Sequence, residues 1–150
     1  MTNIDRLNTN ILRELQANGR ISNTDLAEKV GLSASACLRR VQELERIGVI
    51  KGYRAILDFA ALGVGFTAYV SVGLSDHTSK SQLAFEKAVA KSTQVRECHN
   101  ITGSVEYLLR IETKDLAAYK LFHRDTLGQL PQVRSIETFV VMDSPKDERA

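Results

Sequence analysis

Three glycines, Gly19, Gly31 and Gly48, each fall just past a stretch of helical apolar spacing, and they cut the start of the chain into three short helices. From about Asp5 to Asn18, Leu7, Ile11, Leu12 and Leu15 form one stripe, and Gly19 suits a C-terminal stop. Ser22 and Asp25 stand at capping-box spacing before a second helix, with Leu26, Ala27 and Val30 facing inward up to Gly31. Ser33 is an N-cap for the third, in which Leu38, Val41, Leu44 and Ile47 repeat at three-residue spacing up to Gly48. A helix ending at glycine, a short turn and a newly capped helix make a helix-turn-helix. Val49 to Leu57 then reads as a strand or short hairpin, the place of a wing, with Lys51 and Arg54 exposed.

Beyond this point the period changes. Val64, Phe66, Ala68, Val70, Val72 and Leu74 alternate strictly and predict a strand. Lys80–Lys91 reads as a helix buried through Ala84, Phe85, Ala88 and Val89. Val95–Ile101 and Val105–Thr113 read as strands joined tightly around Gly103-Ser104. Leu116–Leu130 reads as a helix between Asp115 and Pro131, and Val133–Met142 as the last strand. The order βαββαβ is the ferredoxin-like arrangement. The fold class is therefore α+β, with a winged helix-turn-helix and linker over 1–62 and a ferredoxin-like domain over 63–150. The polar tail from Ser144 to Ala150 is expected to fray.

Composition narrows the function. With 43% hydrophobic and 25% charged residues the chain is an ordinary globular one rather than a disordered one. Its net charge of +2 is too small to announce a nucleic-acid partner. The placement is more telling: residues 1–60 carry nine Lys/Arg against seven Asp/Glu, and the remainder carries eleven of each. No apolar run approaches the roughly 18 residues of a membrane helix, and no secretory signal is visible, so no membrane role is expected. Cys37 and Cys98 are far apart and form no metal-binding spacing. A cytoplasmic protein without metal or cofactor is expected.

The third helix has the shape that major-groove entry requires. Ser33, Ala34, Ser35 and Ala36 keep its first turn slim, and Arg39 and Arg40 follow one turn later. Arginine can read a guanine edge in bidentate fashion or clamp a phosphate. Two adjacent arginines can equally be a solvated helix face. Arg20, Ser22 and Asn23 cluster where the second helix begins, and free backbone N–H groups there can hold a phosphate. Capping accounts for Ser22 as well.

The runs Asn18-Gly-Arg-Ile-Ser-Asn-Thr-Asp-Leu-Ala, Val30-Gly-Leu-Ser-Ala-Ser-Ala-Cys-Leu-Arg-Arg-Val and Gly48-Val-Ile-Lys-Gly-Tyr resemble the Lrp/AsnC family of transcription regulators. So do Glu97-Cys-His, Gly103, Tyr107-Leu-Leu, Leu130-Pro-Gln-Val and Thr138-Phe-Val-Val-Met in the second segment. The resemblance covers almost the whole chain. It implies a sequence-specific regulator that binds double-stranded DNA through Arg20, Ser22, Asn23, Ser33, Ser35, Ala36, Arg39, Arg40 and Lys51. It implies that the second segment is a RAM domain, whose sheets pack into a homodimer and whose dimers associate further, often into octamers. It implies an amino-acid effector between dimers, near the turn from Ile101 to Tyr107.

That turn has suitable chemistry. Ile101, Thr102, Gly103, Ser104, Glu106 and Thr138 are the candidate ligand residues. Amides around Gly103 can hold a carboxylate, Ser104 and Thr138 can add hydroxyls, and Glu106 can pair with an ammonium group. Where the family usually places Asp, this chain has Ser104 and Glu106. A plain hairpin turn is the structural alternative, and an effector-independent local or architectural DNA-binding protein is the functional one.

Other classes find little support. His77, His99 and His123 fall on a loop, a strand and a helix. Cys98 and His99 are neighbours on a strand, so they face opposite ways, one buried and one exposed, and cannot pair as nucleophile and base. No P-loop, GxSxG, HExxH or Rossmann glycine pattern occurs, so no enzyme is expected. RNA recognition would need stacking aromatics on the central strands, and the adjoining pair Val95–Ile101 and Val105–Thr113 offers only Tyr107.

Overall fold

The computed structural model describes residues 4–147. The chain forms two compact units that divide between Ile56 and Leu57. Residues 57–62, expected as linker to the first domain, therefore group with the second.

The first unit holds α1 (Arg6–Ala17), α2 (Asn23–Val30) and α3 (Ala34–Arg46). Asp5, Ser22 and Ser33 are their N-caps, each accepting a backbone N–H of the first turn. Gly31 closes α2 at φ +70, a left-handed value that glycine adopts without strain, and the Leu32 amide reaches back to the Ala27 carbonyl. The core is Ile11, Leu26, Ala27, Val30, Cys37 and Leu44. Two expectations are corrected here. Leu38 is 46% exposed, and Cys37 takes its place inside. A three-residue repeat drifts around a helix, whereas Cys37, Val41 and Leu44 follow its true period. Residues 51–58 contain no strand. The Val49 and Ile50 amides both bond the Leu44 carbonyl and so close α3 instead of starting a ladder.

The second unit holds β1 (Phe66–Leu74), α4 (Ser79–Ala90), β2 (Val95–Asn100), β3 (Tyr107–Thr113), α5 (Leu116–Asp125) and β4 (Val133–Val140). The sheet is antiparallel throughout, in the order β2-β3-β1-β4. This is the ferredoxin-like order, and the expected βαββαβ series is present. Ala68, Val70, Val72 and Leu74 are buried, as their alternation requires. They pack with Phe85 and Val89 of α4, Leu109 and Ile111 of β3, and Tyr119 and Phe122 of α5. Ala84 is exposed and Ala88 only half-buried, so the buried stripe of α4 is narrower than its sequence suggests.

The long helix expected to reach Leu130 stops at Asp125. A 3-10 turn, Leu127–Gln129, follows and buries Leu127 completely. Thr126 and Gly128 are weak helix formers, which lets the chain swing inward there. Cys98 and His99 are both exposed, because β2 is the edge strand of the sheet. Of the tail, 148–150 lie outside the described residues, and Ser144–Asp147 carry no regular structure. Among the described residues no helix is long and apolar enough to cross a membrane.

Tyr107 is 1% exposed and its hydroxyl donates to Glu86 Oε1 at 2.7 Å. Burial first, then the Glu86 carboxylate, pushes its phenol up to about 12 from an ordinary 10. The folded state therefore favours the neutral ring. Its contribution to stability is complete below pH 10 and is lost as pH rises to about 12. Two pKa units correspond to something on the order of 3 kcal/mol. Chemical denaturation at pH 9 and pH 12 should show this loss, and Tyr107→Phe should remove it.

Candidate functional site

The outward surface of α3 follows from its buried face. With Cys37, Val41 and Leu44 inside, Ser35, Arg39 and Gln42 project the other way, and all three are exposed. Ser33 and Ser35 are exposed at the slim end, their hydroxyls 3.3 Å apart, while Ala36 is half-buried. Ser33 is also occupied as a cap, accepting the Ala36 amide at 3.3 Å.

The remaining candidates divide into exposed and engaged groups. Arg20 and Lys51 are exposed. Ser22 accepts the Asp25 amide at 3.1 Å and donates to the Asp25 carboxylate at 2.6 Å. Asn23 Nδ2 donates to the Ala34 carbonyl at 2.8 Å, which fixes the start of α3 against α2. Arg40 lies on the flank of α3 that faces α1. Its Nη1 reaches Asp5 Oδ2 at 2.7 Å and Asn8 Oδ1 at 2.9 Å. The Asn8 amide, then the Arg40 guanidinium, hold the Asp5 carboxyl below its usual range. Arg40 thus clasps the recognition helix to the first turn of α1. An aspartate before an apolar stripe signals an N-cap in the sequence; nothing local to it signals the arginine 35 residues away.

In the second unit the connection between β2 and β3 runs from Ile101 to Glu106 and is longer than a tight hairpin. Thr102, Gly103 and Ser104 are exposed. Gly103 sits at φ +136, where a side chain is strained although nothing stands within 4 Å of an added Cβ. The ends of the loop are pinned. The Ile101 amide bonds the Glu106 carbonyl at 2.9 Å, and the Glu106 amide bonds the Val72 carbonyl at 3.2 Å. The Glu106 side chain is only 12% exposed. Its Oε2 accepts the Leu74 amide at 2.6 Å, and His77 Nδ1 stands 3.0 Å from Oε1. The structure thus turns this carboxylate toward the end of β1 and the following loop.

Thr138 does not join the loop within one chain. Register sets it opposite Val70, whereas β3 enters its loop beyond Tyr107, opposite Val72. Its hydroxyl pairs with the Tyr119 hydroxyl at 2.5 Å. Among the described residues, no group of three or more His, Cys, Asp or Glu side chains could hold a metal ion.

A helix-turn-helix with a slim, exposed third helix, followed by a ferredoxin-like domain, defines a helix-turn-helix DNA-binding protein with a second module. Residues 4–51 match the winged helix-turn-helix DNA-binding family, and residues 67–150 match the Lrp/AsnC ligand binding domain. The leucine-responsive regulatory protein of Escherichia coli K12 is 41% identical over 143 residues, covering 95% of this chain and 87% of that protein. A Neisseria meningitidis transcriptional regulator solved as a complex with L-methionine is 32% identical, with a TM-score of 0.92 over 97% of this chain and 94% of its own. An AsnC family transcriptional regulator from Agrobacterium tumefaciens is 34% identical, with a TM-score of 0.90 over 95% and 93%. The chain belongs to the Lrp/AsnC family: it is a DNA-binding transcriptional regulator with a ligand-binding domain.

Proposed function

We propose that this protein is a cytoplasmic, non-enzymatic regulator of amino-acid metabolism genes, and that an amino acid bound at the 101–106 loop, between dimers, modulates its DNA binding. The observation that carries this reading is the pairing of two surfaces. One is the outward row Ser35, Arg39 and Gln42 on α3, with Arg20 and Lys51 also exposed in the same unit. The other is an exposed glycine turn with a carboxylate at its end. A relative solved with L-methionine supports an amino-acid ligand. Phe139, half-exposed on β4 opposite Tyr69, offers apolar surface on the sheet face away from the helices, where a second copy would pack in a homodimer or an octamer. An effector acts here by binding one assembly or dimer arrangement better than another, which changes the spacing of the DNA-binding units.

One observation favours the alternative of an effector-independent DNA-binding protein: both Glu106 oxygens already have partners in their own chain. Thermal shift of the full chain against the twenty amino acids separates the two. The proposed function predicts a rise in Tm with a small set of them, and a flat panel would favour the alternative.

A further inference from the structure

We infer that His77 is a positioning residue of the effector loop: its imidazole competes with an effector's ammonium group for the Glu106 carboxylate, so effector affinity falls as His77 gains its proton. This deepens the proposed effector site and rests on it.

The geometry sets Oε1 as the less occupied oxygen for the ammonium group. Glu106 is held by its backbone to Val72 and Ile101, and Oε2 is committed to the Leu74 amide. Oε1 is the oxygen that an incoming cation can share, and His77 Nδ1 occupies it at 3.0 Å. The two partners are unequal. Glu106 is largely shielded, whereas the His77 side chain is 82% exposed. The imidazole can therefore swing into water while the carboxylate stays.

The loop under His77 is anchored independently. Asp76 accepts the Thr78 amide at 2.9 Å, the Thr78 hydroxyl at 2.6 Å and the Ser81 hydroxyl at 2.9 Å. Thr78 in turn caps α4 by accepting the Ser81 amide at 3.2 Å. Displacing the ring therefore does not unfold its loop. A neutral imidazole sets no charge against Oε1; an imidazolium pairs with it as a like-charged rival of the ammonium. Glu106 stands 3.0 Å from the ring and Asp76 interacts with it; Lys80 follows in the first turn of α4, and Arg134 of β4 comes beside Gly73. Histidine is the side-chain type that ordinarily gains its charge across this part of the pH scale.

Calorimetry of L-methionine against full-length wild type, His77→Gln and Gly103→Asp, at pH 5.5 and pH 8.0, tests this. Glutamine keeps a donor for Oε1 and removes the titration. Wild type should bind about two- to fivefold more weakly at pH 5.5, the range expected for a solvent-exposed ion pair. His77→Gln should match wild type at pH 8.0 and lose most of that difference. A pH dependence unchanged in His77→Gln, with binding abolished in Gly103→Asp, overturns the role of His77 and leaves the effector site standing. Binding unaffected by Gly103→Asp, or absent from wild type, overturns the effector site and the role of His77 with it.

Discussion

Glu106→Ala should remove effector response and also destabilise the second unit by about 1.5 to 3 kcal/mol. The carboxylate accepts the Leu74 amide at 2.6 Å from a largely shielded position. Hydrogen bonds to charged groups contribute about that much, and deleting the acceptor leaves a backbone N–H at the end of β1 without its partner. Leu74 is itself 1% exposed, so water reaches that end of the strand poorly. Loss of response in the alanine variant alone is therefore ambiguous. Glu106→Gln separates the two roles: its amide oxygen still accepts the Leu74 N–H, but it carries no charge for an ammonium group. Urea denaturation should show Glu106→Gln near wild type and Glu106→Ala clearly weaker. Calorimetry with L-methionine should show both variants defective in binding. Equal affinity for wild type and Glu106→Gln would move the ammonium site elsewhere.

Arg39→Ala should weaken specific DNA binding by roughly ten- to a hundredfold, with the stability of the first unit unchanged. Arg39 points away from the buried face of α3 and is exposed beside Ser35 and Gln42. Its guanidinium can meet a guanine edge, and Gln42 on the same row can meet an adenine. Arg40→Ala should also weaken binding, for a different reason. Arg40 holds α3 to Asp5 and Asn8 of α1, so its loss loosens the helix that must enter the groove. Asp5→Ala should then reproduce part of the Arg40→Ala defect, although Asp5 itself repels phosphate. Fluorescence anisotropy on a native operator, with thermal melts of each variant, checks the pair. Unchanged affinity in Arg39→Ala, or tighter binding in Asp5→Ala, would return Arg40 to the role of a direct DNA contact.

Much of this was legible in the residues because local chemistry and fold agree. Gly31 and Ser33 define the turn of the helix-turn-helix through left-handed backbone and N-cap, both local effects. The alternation from Ala68 to Leu74 placed the central strand, since a period of two has one geometric meaning. What escaped depends on contacts distant in sequence. Arg40 and Asn23, both DNA candidates in the sequence, also hold Asp5 of α1 and the Ala34 carbonyl, contacts that no local pattern announces. His77, a lone loop histidine, gains meaning only because β1 and the β2–β3 connection end side by side. Cys37 was missed for the opposite reason: a thiol invites a chemical reading, whereas this one is 0% exposed and serves as a small apolar side chain.

If one chain reads specific DNA sites and an amino acid changes which of them it holds, a single binding experiment shows both. Purified full-length protein can be incubated with fragmented genomic DNA, with and without L-methionine, and the retained fragments sequenced. Discrete enriched sites are expected, concentrated beside genes of amino-acid transport or metabolism, with a shift in their occupancy when the amino acid is present. Uniform retention across the genome would contradict specific DNA recognition, and discrete sites indifferent to the amino acid would contradict effector control.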